Sequence, residues 1–386
     1  MEHIYLDNAA TTPMAKKVIE TMTTQMQENF GNASSTHWFG RQAHAVMDDS
    51  RAVLAKSINA KPDDIVITSG ATEANNTAIM QTAHARASLG KHIITTAIEH
   101  LSVLKPMAQL EKEGYRVTYL PVNEEGEISL ADFDAALDDD TILVSIMMGN
   151  NEVGSRMPIK QIGERLVDHQ AWFHTDATQA YGLLDIDVDA LHVDMLSVSA
   201  HKINGPKGIG FLYRRKGVNF PPFLRGGEQE MKRRAGTENP PAVAGFAEAV
   251  RLITPQEKGD RQAKYYGFKE QIMHALKAAD VDFKVNGPLK PDALNHVFNL
   301  WLPGVSTYAL QTNLDLAGFA ISGGSACTAG SLEPSHVLTA MYGADSPRIS
   351  ESIRVSFGAF NTTMDIVQFS DALVKIVNRL RKKAQA

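Results

Sequence analysis

The chain has 386 residues with 38 Lys and Arg against 44 Asp and Glu, a formal net charge of −6, 44% hydrophobic residues and 21% charged ones. Such a length suits two domains with a real core, and the balance is that of an ordinary globular protein rather than one built to coat a phosphate backbone. The single cysteine excludes an internal disulfide and any multi-cysteine zinc or iron–sulfur centre, so no metal is expected.

The first segment, "MEHIYLDNAATTPMAKK", has no apolar leader core, and no apolar run is long enough to span a membrane. The chain therefore reads as cytoplasmic, without membrane or direct nucleic-acid partners. From Asp64 to about Phe211, short β-rich runs alternate with helical patterns. "DIVIT" (64–68), "HIITTA" (92–97), "RVTYLPV" (116–122), "TILVSIM" (141–147) and "AWFHT" (171–175) are separated by helix-like stretches. That alternation predicts an α/β fold, a mostly parallel mixed sheet covered by helices on both faces. "VDMLSVS" (193–199) and "GIGFLYR" (208–214) follow with little helix between them, and predict an antiparallel departure at the end of that sheet.

A helix is expected from Pro240 to Ala249, where Pro-Pro opens the run. Beyond about residue 260 a long helical stretch precedes the strands "HVFNLWL" and "SIRVSFG", and a last helix starts near Thr363. The expected organisation is a large domain over 14–260 and a smaller α+β domain made of 1–13 and 261–386.

In open α/β sheets ligands bind beyond the carboxyl ends of the strands. There the sequence places Ser69-Gly70-Ala71-Thr72, then Ile98-Glu99-His100, Asn150-Asn151-Glu152, Asp176 with Gln179, and His201-Lys202. Each has an ordinary reading taken singly: a helix cap, a structural histidine, a turn residue. Together they supply complementary parts to one edge. A small-residue turn opening a helix offers N–H groups and a positive dipole end to a phosphate, although neither a dinucleotide nor a P-loop signature is present. A phosphate cradle, a carboxylate, an imidazole and a lysine are what pyridoxal phosphate requires.

Cys327 lies in "ISGGSACTAGSLEPSH" (321–336), among small and polar residues rather than apolar ones. A structural cysteine packs as a small hydrophobe, so this one is expected on an exposed loop, reachable by other molecules.

The motifs "YLDNAATTP", "TSGATEANN", "IEH", "NNEVG", "HTDATQ", "SAHKINGPKGIG", "GTEN", "SGGSACTAGSLEPSHVL" and "IRVSFG" occur in order along nearly the whole chain. In them the sequence resembles the cysteine desulfurases of the NifS/IscS type, in the class V aminotransferase superfamily of fold-type-I pyridoxal phosphate enzymes. The resemblance implies that Lys202 forms the Schiff base and that Asp176 faces the ring nitrogen. Gln179 is implied at the ring hydroxyl and His100 in the stacked, proton-exchanging position. Ala71, Thr72, Ser199 and His201 fall at phosphate positions, and Thr237 matches a threonine that reaches the phosphate of the other subunit in a homodimer. Asn151, which also borders the cofactor, Arg354 and Asn32 match residues near the substrate carboxylate, a task that suits a guanidinium.

By the same resemblance Cys327, on a loop over about 322–336 in the small domain, takes sulfur from L-cysteine as a persulfide, leaving L-alanine. The sulfur passes to an acceptor protein for iron–sulfur assembly, tRNA thiolation or thiamine synthesis. The loop reads "GGSACTAG" where many relatives have "SSGSACTS", and members with a longer tail use it to dock a scaffold, so the acceptor stays open. The alternatives are a class V aminotransferase or lyase that does not use the thiol, and a non-catalytic partner with the same fold.

Overall fold

The computed structural model describes residues 3–323 and 334–385. Among the described residues twelve strands run in chain order: β1 (Ile4–Tyr5), β2 (Ile65–Thr68), β3 (His92–Thr96), β4 (Arg116–Leu120), β5 (Thr141–Ser145) and β6 (Trp172–Asp176) come first. They are followed by β7 (Met195–Ser199), β8 (Gly210–Arg214), β9 (Lys284–Asn286), β10 (Val297–Trp301), β11 (Phe319–Ala320) and β12 (Ser352–Ser356).

Seven strands form one sheet in the order β2-β8-β7-β6-β5-β3-β4. The pairs β4–β3, β3–β5, β5–β6 and β6–β7 are parallel. The alternation of side chains along a strand shows directly in the core. Ile65, Ile67, Ile94, Val144, Leu196 and Val198 belong to one buried cluster, and Val66, Ile93, Leu143, Met195 and Leu212 to another. Residues of opposite parity thus enter opposite layers, which is why these strands read as continuous apolar runs.

β8 departs from the expectation in its position. It is antiparallel, as its short link from β7 requires, but it lies between β7 and β2 rather than at the margin. Because β8 returns alongside β7, its free side is taken by β2, which becomes the edge strand. Gly210 permits this close passage: a Cβ there would stand 2.3 Å from the Val198 carbonyl oxygen and 2.8 Å from the Cα of Gly70.

A second, antiparallel sheet has the order β12-β10-β9, with Val297 opposite Ser356 and Trp301 opposite Ser352. Helices Pro255–Ala278 and Thr363–Gln385 join it in a separate core that includes Phe268, Phe298, Phe357, Phe369 and Leu373. The amino-terminal segment is tied into this part. β1 pairs in parallel with β11, and Asp7 bridges to Ser356. From there residues 9–12 cross to the large sheet, where the Thr12 N–H donates to the His201 carbonyl at 2.9 Å. Among the described residues no helix is long and apolar enough to cross a membrane.

Candidate active site

Parallel strands bring their carboxyl ends to one edge, so the residues after β2, β3, β5, β6 and β7 converge although more than 100 residues separate the first from the last. They line a cavity of about 400 Å³, a size suited to a small-molecule ligand. Ser69, Gly70, Ala71 and Thr72 enter it from the first turn, His100 from the second and Asn151 from the third. Asp176, Gln179, Ser199, His201 and Lys202 enter from β6 and β7 and the turns that follow them. Ala9, Ala10, Thr11 and Arg354 also line it.

Helix Ala71–Arg86 presents its amino terminus to the cavity. Gly70 precedes it with φ 147°, a conformation that side-chain-bearing residues rarely adopt, and a Cβ there would meet Ser199 Oγ at 3.5 Å. This turn keeps helix N–H groups beside the hydroxyls of Thr72 and Ser199 and the imidazole of His201, a donor set for an anion. Burial, with Lys202 and Lys207 adding to it, lowers the His201 pKa to about 4, so the ring is neutral. Its Nδ1 lies 3.1 Å from Thr11 Oγ1.

Asp176 ends β6 with its carboxylate largely buried. Oδ1 accepts from the Thr178 N–H at 2.9 Å, and Oδ2 from Asn75 Nδ2 at 2.7 Å. The same Asn75 nitrogen donates to Ser102 Oγ at 2.8 Å, and that hydroxyl is 2.8 Å from His100 Nδ1. The Ser102 N–H also donates to Nδ1 at 3.1 Å, so His100 caps helix Leu101–Lys112 with an unprotonated Nδ1 and its ring proton on Nε2. Burial is the main cause that lowers the His100 pKa, with Lys202 and His336 adding to it against Asp176. The imidazole is neutral.

Lys202 sits at the end of the short turn Ala200–Lys202, and its Nζ donates to the carbonyls of Ala9 and, at 2.8 Å, Ala10. Arg354 in β12 is almost wholly buried. It donates to Asp7 Oδ1 at 2.8 Å and to the Asn151 carbonyl at 3.0 Å.

Ten residues singled out in the sequence thus share one cavity. Three do not. Asn32 is exposed in the turn before helix Trp38–Lys56, where its Oδ1 accepts from the Ser34 N–H at 2.9 Å. Thr237 is exposed and does not line the cavity of its own chain. Cys327 lies outside the described residues. Asn75 and Ser102, which link Asp176 to His100, were not among the expected site residues. The signal was present for Asn75, four residues after Ala71 and so on the same face of its helix.

A donor-rich helix amino terminus, a buried carboxylate and a lysine amine around one cavity fit a phosphorylated pyridine aldehyde: dianion, ring nitrogen and carbonyl carbon each have a partner of the right chemistry. The comparisons agree. The "Aminotransferase class-V" family model matches residues 4–369. A protein of Bacillus subtilis (strain 168) named "Putative cysteine desulfurase IscS 1" is 53% identical over 98% of this chain and 100% of its own length. A "Cysteine desulfurase IscS" of Methanosarcina thermophila is 43% identical over 98% and 93%. A solved "NIFS-LIKE PROTEIN" superposes with a TM-score of 0.90 at 32% identity, over 98% of this chain and all of that one. Another, described as "SspA in complex with cysteine", gives 0.79 at 35% identity over 93% and 99%. The chain belongs to the class-V aminotransferase family and, within it, to the cysteine desulfurases. It is a pyridoxal-phosphate enzyme.

Proposed function

We propose that the cavity residues divide the desulfuration of L-cysteine as follows. Ala71 and Thr72, at the helix amino terminus, hold the cofactor phosphate with Ser199 and His201. Asp176 faces the ring nitrogen, and Gln179 the ring hydroxyl. When bound, the cofactor supplies an electron-withdrawing ring that delocalises the charge left at the substrate α-carbon. Lys202 would hold the cofactor through its amine, and that amine, when free, would take the substrate α-proton. His100, neutral because it is buried, would stack on the cofactor ring. Arg354 receives the substrate carboxylate beside Asn151, its guanidinium already held in place by Asp7. The Cys327 thiolate bonds to the substrate sulfur as the carbon–sulfur bond breaks. The bonding pair leaves with carbon, which is protonated to give alanine, and Cys327 is left as a persulfide for an acceptor protein.

The observation that carries this reading is the meeting of Lys202 and Asp176 in one cavity of a chain so like a named cysteine desulfurase over its full length. Incubation with L-cysteine is expected to yield alanine and protein-bound sulfur, with neither formed by a Lys202→Ala variant. Alanine formation that survives in Lys202→Ala overturns the assignment.

Residues 14–260 act in this scheme as the cofactor domain, and 1–13 with 261–386 as the smaller one. The working unit is a homodimer in which Thr237, exposed and away from its own cavity, serves the partner's phosphate. Exposed Phe30, Trp38 and Phe39 support it. Their rings pack at 5.1 and 5.0 Å while remaining 69%, 56% and 45% exposed, an aromatic patch of the kind that marks an interface. A monomer in sedimentation at micromolar concentration contradicts it.

A further inference from the structure

Gln179 stands between two cavities: the one that holds the site, and one of about 30 Å³ behind it, lined also by Lys202, Arg261, Tyr265 and His296. A primary amide has a donor end and an acceptor end, so its orientation decides what it offers a ligand. Two neighbours fix that orientation. The Ala9 carbonyl can only accept, and it lies 3.1 Å from Gln179 Nε2. Gln179 Oε1 therefore faces the other way, 2.7 Å from His296 Nε2. An oxygen there requires a proton on that nitrogen, so His296 is the Nε2–H tautomer.

The ring cannot be charged. It is fully buried, and burial together with the cations of Lys269, Lys202 and Arg354 lowers its pKa to about 3. Lys269 is occupied elsewhere, donating to Asn295 Oδ1 at 3.0 Å. His296 Nδ1 is buried with no hydrogen-bond partner among the described residues. Packing alone does not explain such a residue, because an apolar side chain of similar size would avoid burying a half-satisfied imidazole. The work it does is at Nε2.

We propose that His296 is a positioning residue that locks the Gln179 amide with its nitrogen toward the active site, so that Gln179 offers the cofactor's ring hydroxyl oxygen a donor and never an acceptor. One Nε2 hydrogen goes to Ala9, which leaves the second for the ligand. The inference rests on the reading that Gln179 faces that oxygen.

The test uses the pH at which the visible absorbance of the holoenzyme changes. A donated hydrogen bond favours the more negative state of its acceptor, so losing it raises that midpoint, by roughly one pH unit for a bond to an ionised oxygen. Gln179→Ala is expected to raise it by about that much, and His296→Leu to raise it in the same direction by less, because Oε1 then has no donor among the described residues and the Ala9 carbonyl alone holds the amide. His296→Gln, which restores an N–H at the same reach, is expected to return the midpoint to that of the wild type. A midpoint that moves in Gln179→Ala but not in His296→Leu overturns the role of His296 alone. One that stays put in Gln179→Ala overturns the placement of Gln179, and the proposal with it. Should His296→Leu fail to fold, nitrogen-15 spectra of the histidine-labelled wild-type holoenzyme decide. Protonated Nε2 with bare Nδ1 supports the proposal, and the reverse tautomer or a charged ring refutes it.

Discussion

Replacing Glu230 by Gln keeps the shape of a buried side chain and removes its charge. Glu230, Met231 and Lys232 form a left-handed run with φ of 51°, 54° and 65°, which costs non-glycine residues about 1–2 kcal/mol each. The turn is held by the Glu230 carboxylate. Its two oxygens each accept from Arg51 at 2.7 Å, and Oε2 also accepts the Ile67 N–H at 2.9 Å. The side chains of Arg51 and Glu230 are only 10% and 3% exposed. Glu230→Gln thus leaves a guanidinium buried without its counter-charge, a defect that costs about 3–5 kcal/mol. Against a total stability on the order of 5–15 kcal/mol this is a large loss. Pairing it with Arg51→Met removes the stranded charge while the Gln oxygen still serves Ile67, so the double variant is expected to recover most of the difference. Urea unfolding of the holoprotein, followed by tryptophan fluorescence, measures both. A Glu230→Gln protein within about 1 kcal/mol of the wild type, or a double variant no better than the single, refutes the reasoning.

Two further outcomes concern the site. Asp176→Asn keeps the shape but cannot supply the charge that holds a ring nitrogen protonated. Losing a preorganised electrostatic partner costs on the order of 3–4 kcal/mol, so turnover is expected to fall about 10²–10³-fold with the cofactor still bound, and near-normal turnover contradicts the role. Glu99 is fully buried beside His100, and burial raises its pKa to about 8 from 4.5, so it folds as the neutral acid. Its contribution is complete below pH 4.5 and is lost as pH rises toward 8, because the unfolded chain releases the proton there and the folded one keeps it. Glu99→Gln mimics the neutral form, and its Oε1 can still accept from Thr96 and the Met147 N–H. Its unfolding free energy is expected to fall less between pH 5 and pH 8 than that of the wild type, by at most about 5 kcal/mol, and an unchanged slope contradicts this.

The large sheet was legible because both of its faces are covered. Strands such as "TILVS" and "MLSVS" bury every residue and so read as unbroken apolar runs. The strand ends followed from the parallel order, and with them Lys202, Asp176 and His100. Long-range pairing was not legible. β1, β9 and β11 span two or three residues each, too few for any periodicity, and exist only because distant partners complete them. The place of β8 between β7 and β2 was hidden for the same reason. His296 escaped because no local pattern separates it from its neighbours in "LNHVFNL". Only the 2.7 Å contact with Gln179, 117 residues away, reveals its task. Glu230 escaped likewise, since nothing in "GGEQEMKRRAG" marks a carboxylate destined for Arg51.

Sulfur transfer through Cys327 is the centre of the account, and mass spectrometry of the peptide that bears it is the most direct test. After one turnover of L-cysteine without reductant, the account predicts one added sulfur atom on Cys327 and an equal amount of alanine. Cys327→Ser should keep the cofactor spectrum and form no alanine, because a hydroxyl attacks sulfur far less well than a thiolate. Alanine made while Cys327 carries no sulfur, or undiminished in Cys327→Ser, would contradict the mechanism.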